Sequence, residues 1–263
     1  MRPAVKELVK VLGEIGYRRS PLEAFQSFVR MAACACAVQT REEEYLAEVK
    51  RWDPESIQGF VRSFALLVEG MEEQSYRDLL GPIYMELGSK SSQKWGGEFY
   101  TPQDVSLAMA KMALNGLEVP SDRPLEILEP ACGAGGMVLC AAEVLVEHRG
   151  HSPLNIRATC VDTNRLACDM CYVNLTLWGI PATIVHGNSL SLETWGGWRN
   201  LWWGQARGLS LTPFEAVMRK LLVGHDQPAP PPPSRPSEVS EAEQIAIVKA
   251  ANGQFAMDFG GAA

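Results

Sequence analysis

The chain has 263 residues, of which 46% are hydrophobic and 21% charged, with a formal net charge of −7. That length is enough for one or two packed domains, and the acidic balance excludes a protein that coats a polyphosphate broadly and unaided. The charge is uneven, −3 over residues 225–263 and −4 over residues 1–224, so any contact with nucleic acid is expected to be local or assisted by a partner.

The first residues, MRPAVKELVKVLGEIGY, have charges scattered through them. No run of about 18 apolar residues occurs to suggest a membrane span or a signal segment. The expectation is a cytoplasmic protein with no membrane partner. Seven cysteines stand at irregular positions, and Cys168 and Cys171 make one C-x-x-C inside a helical pattern. Without a second such pair to complete a zinc frame, the cysteines read as reduced, packed thiols, and no metal site is expected.

Residues 1–95 read as helices. SPLEAFQSFVRMAACACAV places Ser20 at an N-cap, Pro21 at the first helical position and Glu23 three residues after the cap. That is a capping box, with the proline where its missing N–H costs nothing. Two more helices fit REEEYLAEVKRW and SIQGFVRSFALLVEGM, separated by Asp53-Pro54. The whole segment is expected to form a helical cap packed on the next domain.

From residue 96 the pattern alternates. LEILEP (125–130), NIRATCVD (155–162) and ATIVHGN (182–188) read as buried strands; MVLCAAEVLVEHRG (137–150) and NRLACDMCYVNLTLWG (164–179) read as the helices between them. Strands separated by helices of this length form parallel βαβ units. Half of a doubly wound, Rossmann-type α/β sheet is expected. Residues 191–224 carry four of the seven tryptophans and no convincing strand. HDQPAPPPPSRPSEVSE comes next, its proline density favouring an extended linker over 225–239, with a short tail over 240–263.

The first strand runs into Gly133, Gly135 and Gly136, and a helix begins at once. Backbone without Cβ atoms at a helix N-terminus suits close approach of a ligand. The dinucleotide fingerprint would need glycine at position 138, where Val138 stands, and no G-K-[ST] follows for a phosphate loop. What remains is a small adenosyl ligand. Asp162, at the end of the second strand, is placed to accept from ribose hydroxyls; the plainer alternatives are a tight glycine turn and an Asp162 that caps the next helix.

At these residues the chain resembles the adenine-specific DNA methyltransferases that serve as modification subunits of type I restriction systems. GGEFYTPQDVSLAMAKM (96–112) and EPACGAGGMVL (129–139) are similar to the two segments that form the S-adenosylmethionine pocket in that family. The resemblance covers about residues 96–190 and implies a class I methyltransferase-like domain over 96–224. Phe99, Tyr100 and Thr101 would wall the methionine end, with Thr101 capping a helix opened by Pro102. Glu129 would take the acidic place at the strand end, Ala131, Cys132, Gly133, Gly135 and Gly136 the loop, and Asp162 the ribose. HGNSL (186–190) resembles a family segment whose acid accepts from the adenine amine; here it is Asn188. Each has a plain reading as well: Phe99 and Tyr100 as core aromatics, Asn188 as a turn residue.

The same resemblance implies methyl transfer to the exocyclic amine of adenine in DNA, with a separate specificity subunit as partner. The family's Asn-Pro-Pro-aromatic motif, which holds a flipped base, is missing from the sequence. Two remnants stand near its expected place: Asn200 with Trp203, and Pro213 with Phe214. The alternative is a catalytically inactive S-adenosylmethionine-binding homologue that acts as a regulatory or anti-restriction partner. Trp195, Trp198, Trp202 and Trp203 suit either base stacking or a core. QFAMDF (254–259) resembles the peptides that dock on the bacterial sliding clamp, with Gln254 as polar anchor and Met257 and Phe259 for an apolar pocket.

Overall fold

A computed structural model of the chain describes residues 3–38, 40–89, 100–120 and 123–205. The N-terminal part is helical: α1 (Pro3–Ile15), α2 (Pro21–Cys36), α3 (Glu42–Val49), α4 (Pro54–Glu72) and α5 (Leu80–Ser89). Local chemistry sets the starts of two of them. Ser20 caps α2 by accepting from Leu22 N, and Asp53 caps α4 by accepting from Ser56 N at 2.9 Å, with proline at the first turn of each. The reciprocal half of the expected capping box is replaced, because Glu23 takes the guanidinium groups of Arg19 and Arg51.

The α/β part follows as α6 (Gln103–Ala113), β1 (Leu125–Glu129), α7 (Gly136–Glu143), β2 (Ile156–Asp162), α8 (Arg165–Leu177), β3 (Ala182–Asn188) and β4 (Glu193–Arg199). Pro102, rather than Thr101, occupies the cap position of α6. α7 ends earlier than the sequence suggests and gives way to one wide helical turn over Val144–His148. The strands lie in the order β1-β2-β3-β4, with β1, β2 and β3 parallel. This is the expected Rossmann-type α/β half-sheet with a helical N-terminal layer.

The strand the sequence did not announce is β4. Its Gly196-Gly197 pair breaks any apolar run, so only pairing reveals it: it folds back antiparallel on β3, Ile184 opposite Trp198 and Asn188 opposite Glu193. An antiparallel return needs only a short hairpin. Asn188 supplies it, its Oδ1 accepting from Leu190 N at 2.9 Å and Ser191 N at 3.2 Å.

One apolar core runs from Leu8 and Leu12 of α1 through Phe25 and Phe28 of α2 to Leu139 of α7, Tyr172 of α8 and Ile184 of β3. The helical layer is fastened to α8 by charge as well. Asp169, only 1% exposed, receives Arg30 Nε at 2.6 Å and Arg41 Nη2 at 2.9 Å, while Glu44 receives Arg30, Arg41 and Arg165. Such a network costs desolvation to build and is strongly destabilised by removal of one member. All seven cysteines are free and buried, their thiols taken up by the core. Among the described residues no helix is long and apolar enough to cross a membrane. The expected change of segment at residues 95–96, the linker over 225–239 and the tail over 240–263 all lie outside the described residues.

Candidate cofactor-binding site

The site forms where β1 stops. After Glu129 the chain turns through Cys132, whose N–H donates to Val161 O of the neighbouring strand at 2.9 Å. Gly133 then adopts φ +51° and Gly135 φ +88°, left-handed backbone that glycine enters without a Cβ penalty. Gly135 is the N-cap residue of α7, whose first N–H groups have no intrahelical partner and carry the positive end of the helix dipole. At Gly133 a Cβ would lie 2.9 Å from the Tyr100 ring, and at Gly135 one would lie 3.1 Å from Cys171 Sγ. At both positions, then, the left-handed backbone strains any side chain, and a close neighbour would have to shift to admit one.

Asp162, at the tip of β2, joins this loop to the next strand. Its Oδ2 accepts from Gly133 N at 2.8 Å and its Oδ1 from Asn164 N at 2.8 Å. The cap of α8 itself is Asn164, which accepts from Leu166 N. Asp162 is therefore a strut between the glycine loop and the β2–α8 turn, and each of its oxygens keeps a second lone pair. Glu129 lies on the neighbouring strand end and accepts from Ala131 N at 3.3 Å. Burial pushes its carboxyl up to about 7, against that single backbone donor, with Cys160 and Asp162 adding to the rise.

Two residues that the sequence reading did not single out hold the loop from behind. Asn174 of α8 donates to Ala134 O at 2.9 Å and to Asp78 Oδ1 at 3.0 Å. Asp78 also accepts from Gly81 N, capping the first turn of α5. Burial raises its carboxyl to about 6 despite those donors. The N-terminal layer thus reaches the loop through one carboxylate and one amide. Asn174 is one of three polar residues buried on α8, with Asp169 and Thr176, so no local signal singles it out, and nothing local marks Asp78. Beneath the loop, Cys132, Cys160 and Cys171 are buried and interact with one another.

The structure brings together Tyr100, the loop from Ala131 to Gly136, Glu129 and Asp162. Tyr100 packs edge-on against Tyr84 with ring centres 5.9 Å apart and lies over Gly133; Thr101 beside it is exposed. Phe99 lies outside the described residues, as do Pro213, Phe214, Gln254, Met257 and Phe259. Asn188 stands at the same sheet edge, but both of its Oδ1 lone pairs serve the hairpin turn, so the plain reading of that residue holds in this structure.

Asn200 and Trp203 require a correction. Because β4 is antiparallel, it leaves the glycine-loop edge at Glu193 and delivers both residues to the opposite edge, where Arg199 pairs with Thr183. There Asn200, 3% exposed, accepts from Ala182 N and donates to Ile180 O. The guanidinium groups of Arg157 and Arg199 lie 4.9 and 5.3 Å from the Trp203 ring centre. Neither residue is placed to act on a ligand at the loop.

An α/β sheet with a bare loop and a carboxylate at the carboxyl ends of adjacent parallel strands defines a Rossmann-type ligand-binding protein. The chain belongs to the N-6 DNA methylase family, whose model matches residues 75–218. It is similar to the type I restriction enzyme EcoEI methylase subunit of Escherichia coli, 31% identical over 129 residues that cover 45% of this chain and 25% of that protein. It is also similar to the type I restriction enzyme MpnII methylase subunit of Mycoplasma pneumoniae, 27% identical over 129 residues, 47% of this chain and 22% of that one. The chain therefore spans about a quarter of the length of these curated relatives. A solved structure described as a class I S-adenosylmethionine-dependent methyltransferase, from Listeria monocytogenes, aligns over 70% of this chain and 53% of its own at 18% identity and a TM-score of 0.45.

Proposed function

We propose that the chain binds S-adenosylmethionine at the β1 loop and acts in methyl transfer to the exocyclic amine of adenine in DNA. The observation that supports this most is the 2.8 Å bond between Gly133 N and Asp162, which ties a glycine-rich loop to an acid on the next strand, in a chain of the N-6 DNA methylase family. The donor set suits this ligand. Two carboxylates, Glu129 and Asp162, flank the loop; they repel a pyrophosphate and welcome ribose hydroxyls and a cationic amino acid moiety.

When bound, S-adenosylmethionine supplies an electrophilic methyl group on a positively charged sulfur. The chain's own residues would position it: the spare lone pairs of Asp162 would accept from ribose hydroxyls, Tyr100 and Thr101 would wall the methionine side, a role the resemblance also gives to Phe99, and Cys132 and Ala134 would shape the floor. Glu129, where ionised, would balance the ligand's positive charge, and a cation beside it would draw its raised carboxyl back down. For the base, the Asn-Pro-Pro-aromatic arrangement is absent from the sequence, and Asn200 and Trp203 stand at the far edge. The family match continues to residue 218, so residues 211–214, with Pro213 and Phe214, are the remaining candidates to hold the amine.

DNA as substrate, a separate specificity subunit as partner and docking of the QFAMDF tail on a sliding clamp belong to the same reading. The type I methylase subunits among the relatives favour the first two; the third rests on the tail sequence alone.

The test is incubation of the full chain with radiolabelled S-adenosylmethionine and unmethylated DNA, alongside calorimetric titration of the same ligand. Label transferred to adenine supports the reading. Binding without transfer supports a second one, a cofactor-binding homologue that acts as a regulatory or anti-restriction partner. Absence of binding refutes both.

A further inference from the structure

Four tryptophans crowd residues 195–203, and the structure gives them different fates. Trp198 is covered by the guanidinium groups of Arg165 and Arg41, 4.0 and 5.0 Å from its ring centre. Trp202 is buried and donates through Nε1 to Thr176 O. Trp203 is held by Arg157 and Arg199 at the far edge. Trp195 differs from these: it is 53% exposed, and it lies on the early part of β4, at the edge where the glycine loop and Asp162 lie.

Its placement comes from an interruption of the ladder. His186 pairs with Gly196 and Gly187 with Thr194, so Trp195 is the extra residue of a β-bulge. Bulges re-aim a side chain and recur beside ligand sites. Gly187 makes this one feasible, since a Cβ there would collide with the Glu193 carbonyl. Trp195 is backed on one side by His186, edge to ring with centroids 5.0 Å apart and an interplanar angle of 71°. The imidazole is itself pinned, its Nε2 3.1 Å from Thr163 O, a geometry in which that nitrogen donates to the carbonyl. Thr163 is the residue after Asp162, and Asp162 and His186 are register partners on adjacent strands.

We infer that Trp195, steadied by His186, is a stacking platform for a purine ring at the open end of the cofactor crevice. The inference rests on the proposed role of Asp162. Asp162 and His186 are one strand spacing apart, and His186 is in ring contact with Trp195, so the indole stands at the same sheet edge as the carboxylate proposed to hold the ribose, on the side where the base of a nucleoside held there would extend. A half-exposed indole presents a large apolar face that a base covers well, and stacking on an aromatic side chain tolerates any base. Two sources supply such a ring: the adenine of the cofactor and an adenine of the DNA.

The experiment titrates the full chain, as wild type, Trp195→Ala and Trp195→Phe, with S-adenosylhomocysteine by calorimetry, and separately with an oligo-dA strand against an abasic strand of equal length by fluorescence anisotropy. One stacked base corresponds to a change in affinity of about 5- to 100-fold. The expected result is a loss of that size for S-adenosylhomocysteine in Trp195→Ala, rescued to within about threefold by Trp195→Phe, with an unchanged melting temperature. The same loss confined to the dA strand, and absent for the abasic strand, assigns the platform to the DNA base. Equal affinities of all three proteins in both arms overturn the platform and leave the Asp162 site standing. A wild type that binds neither probe overturns both.

Discussion

Glu129 offers a test of whether the glycine-loop acid is maintained for a ligand at the expense of the fold. Burial raises its carboxyl to about 7 from an ordinary 4.5, with one long backbone donor to oppose the rise. Between those two values the folded protein binds more protons than the unfolded chain does, so stability falls as pH rises through the window and levels off above it. At about 1.4 kcal/mol for each pH unit crossed, the ionised group costs on the order of 1 kcal/mol at pH 5 and about 3 kcal/mol at pH 8. Glu129→Gln keeps the shape and an acceptor for Ala131 N while removing the charge. The variant is expected to be more stable than the wild type by roughly 3 kcal/mol at pH 8, with the gain shrinking to about 1 kcal/mol at pH 5. Urea unfolding of the ligand-free full chain at both pH values measures it, as a rise of about 1 M in the midpoint at the higher pH. An equal effect at the two pH values, or a variant less stable at pH 8, would show that the carboxylate is not strained by burial and would refute the reasoning.

Four other outcomes are expected. Asp162→Ala removes the acceptor for Gly133 N and Asn164 N, and calorimetry should then detect no binding of S-adenosylhomocysteine; wild-type affinity would rule out the ribose role. Asn174→Ala breaks the link from Asp78 to Ala134 and should cost about 1–3 kcal/mol in thermal unfolding while weakening the cofactor; a loss of stability with affinity intact would make the link purely structural. Asp169→Ala leaves Arg41 buried with only Glu44 to neutralise it, and a destabilisation of about 3–5 kcal/mol should follow by urea titration; less than about 1 kcal/mol would mean that the network contributes little. Deleting residues 252–263 should abolish capture by an immobilised sliding clamp, and failure of the intact chain to be captured would end that proposal.

How much of this was legible beforehand varied with the range of the interactions. Gly133, Gly135 and Gly136 announce a tight turn because the main cause is local: the first two adopt left-handed backbone that strains any side chain, to which Tyr100 and Cys171 add crowding from a distance in the chain. Asp162 is legible because the strand pattern ends there. Asp78 is not, since the residue that makes it matter, Asn174, lies 96 residues away along the chain. The misassignment of Asn200 and Trp203 has one source, the direction of β4. A strand that runs parallel would have carried them to the cofactor edge; the hairpin turn closed by Asn188 reversed it.

The sequence alone thus settled the alternating α/β order and the strand–loop–helix of the glycine loop, because these rest on hydrophobic period and backbone sterics acting over a few residues, while two short motifs carried the resemblance to the family. Tertiary structure decided which edge of the sheet each aromatic reaches, that the helical layer grips the loop through Asp78 and Asn174, and that Trp195 is exposed near Asp162 while Trp198, Trp202 and Trp203 are covered. Those outcomes depend on strand direction and on pairing between distant residues, whose free energies are not written into any local stretch of chain.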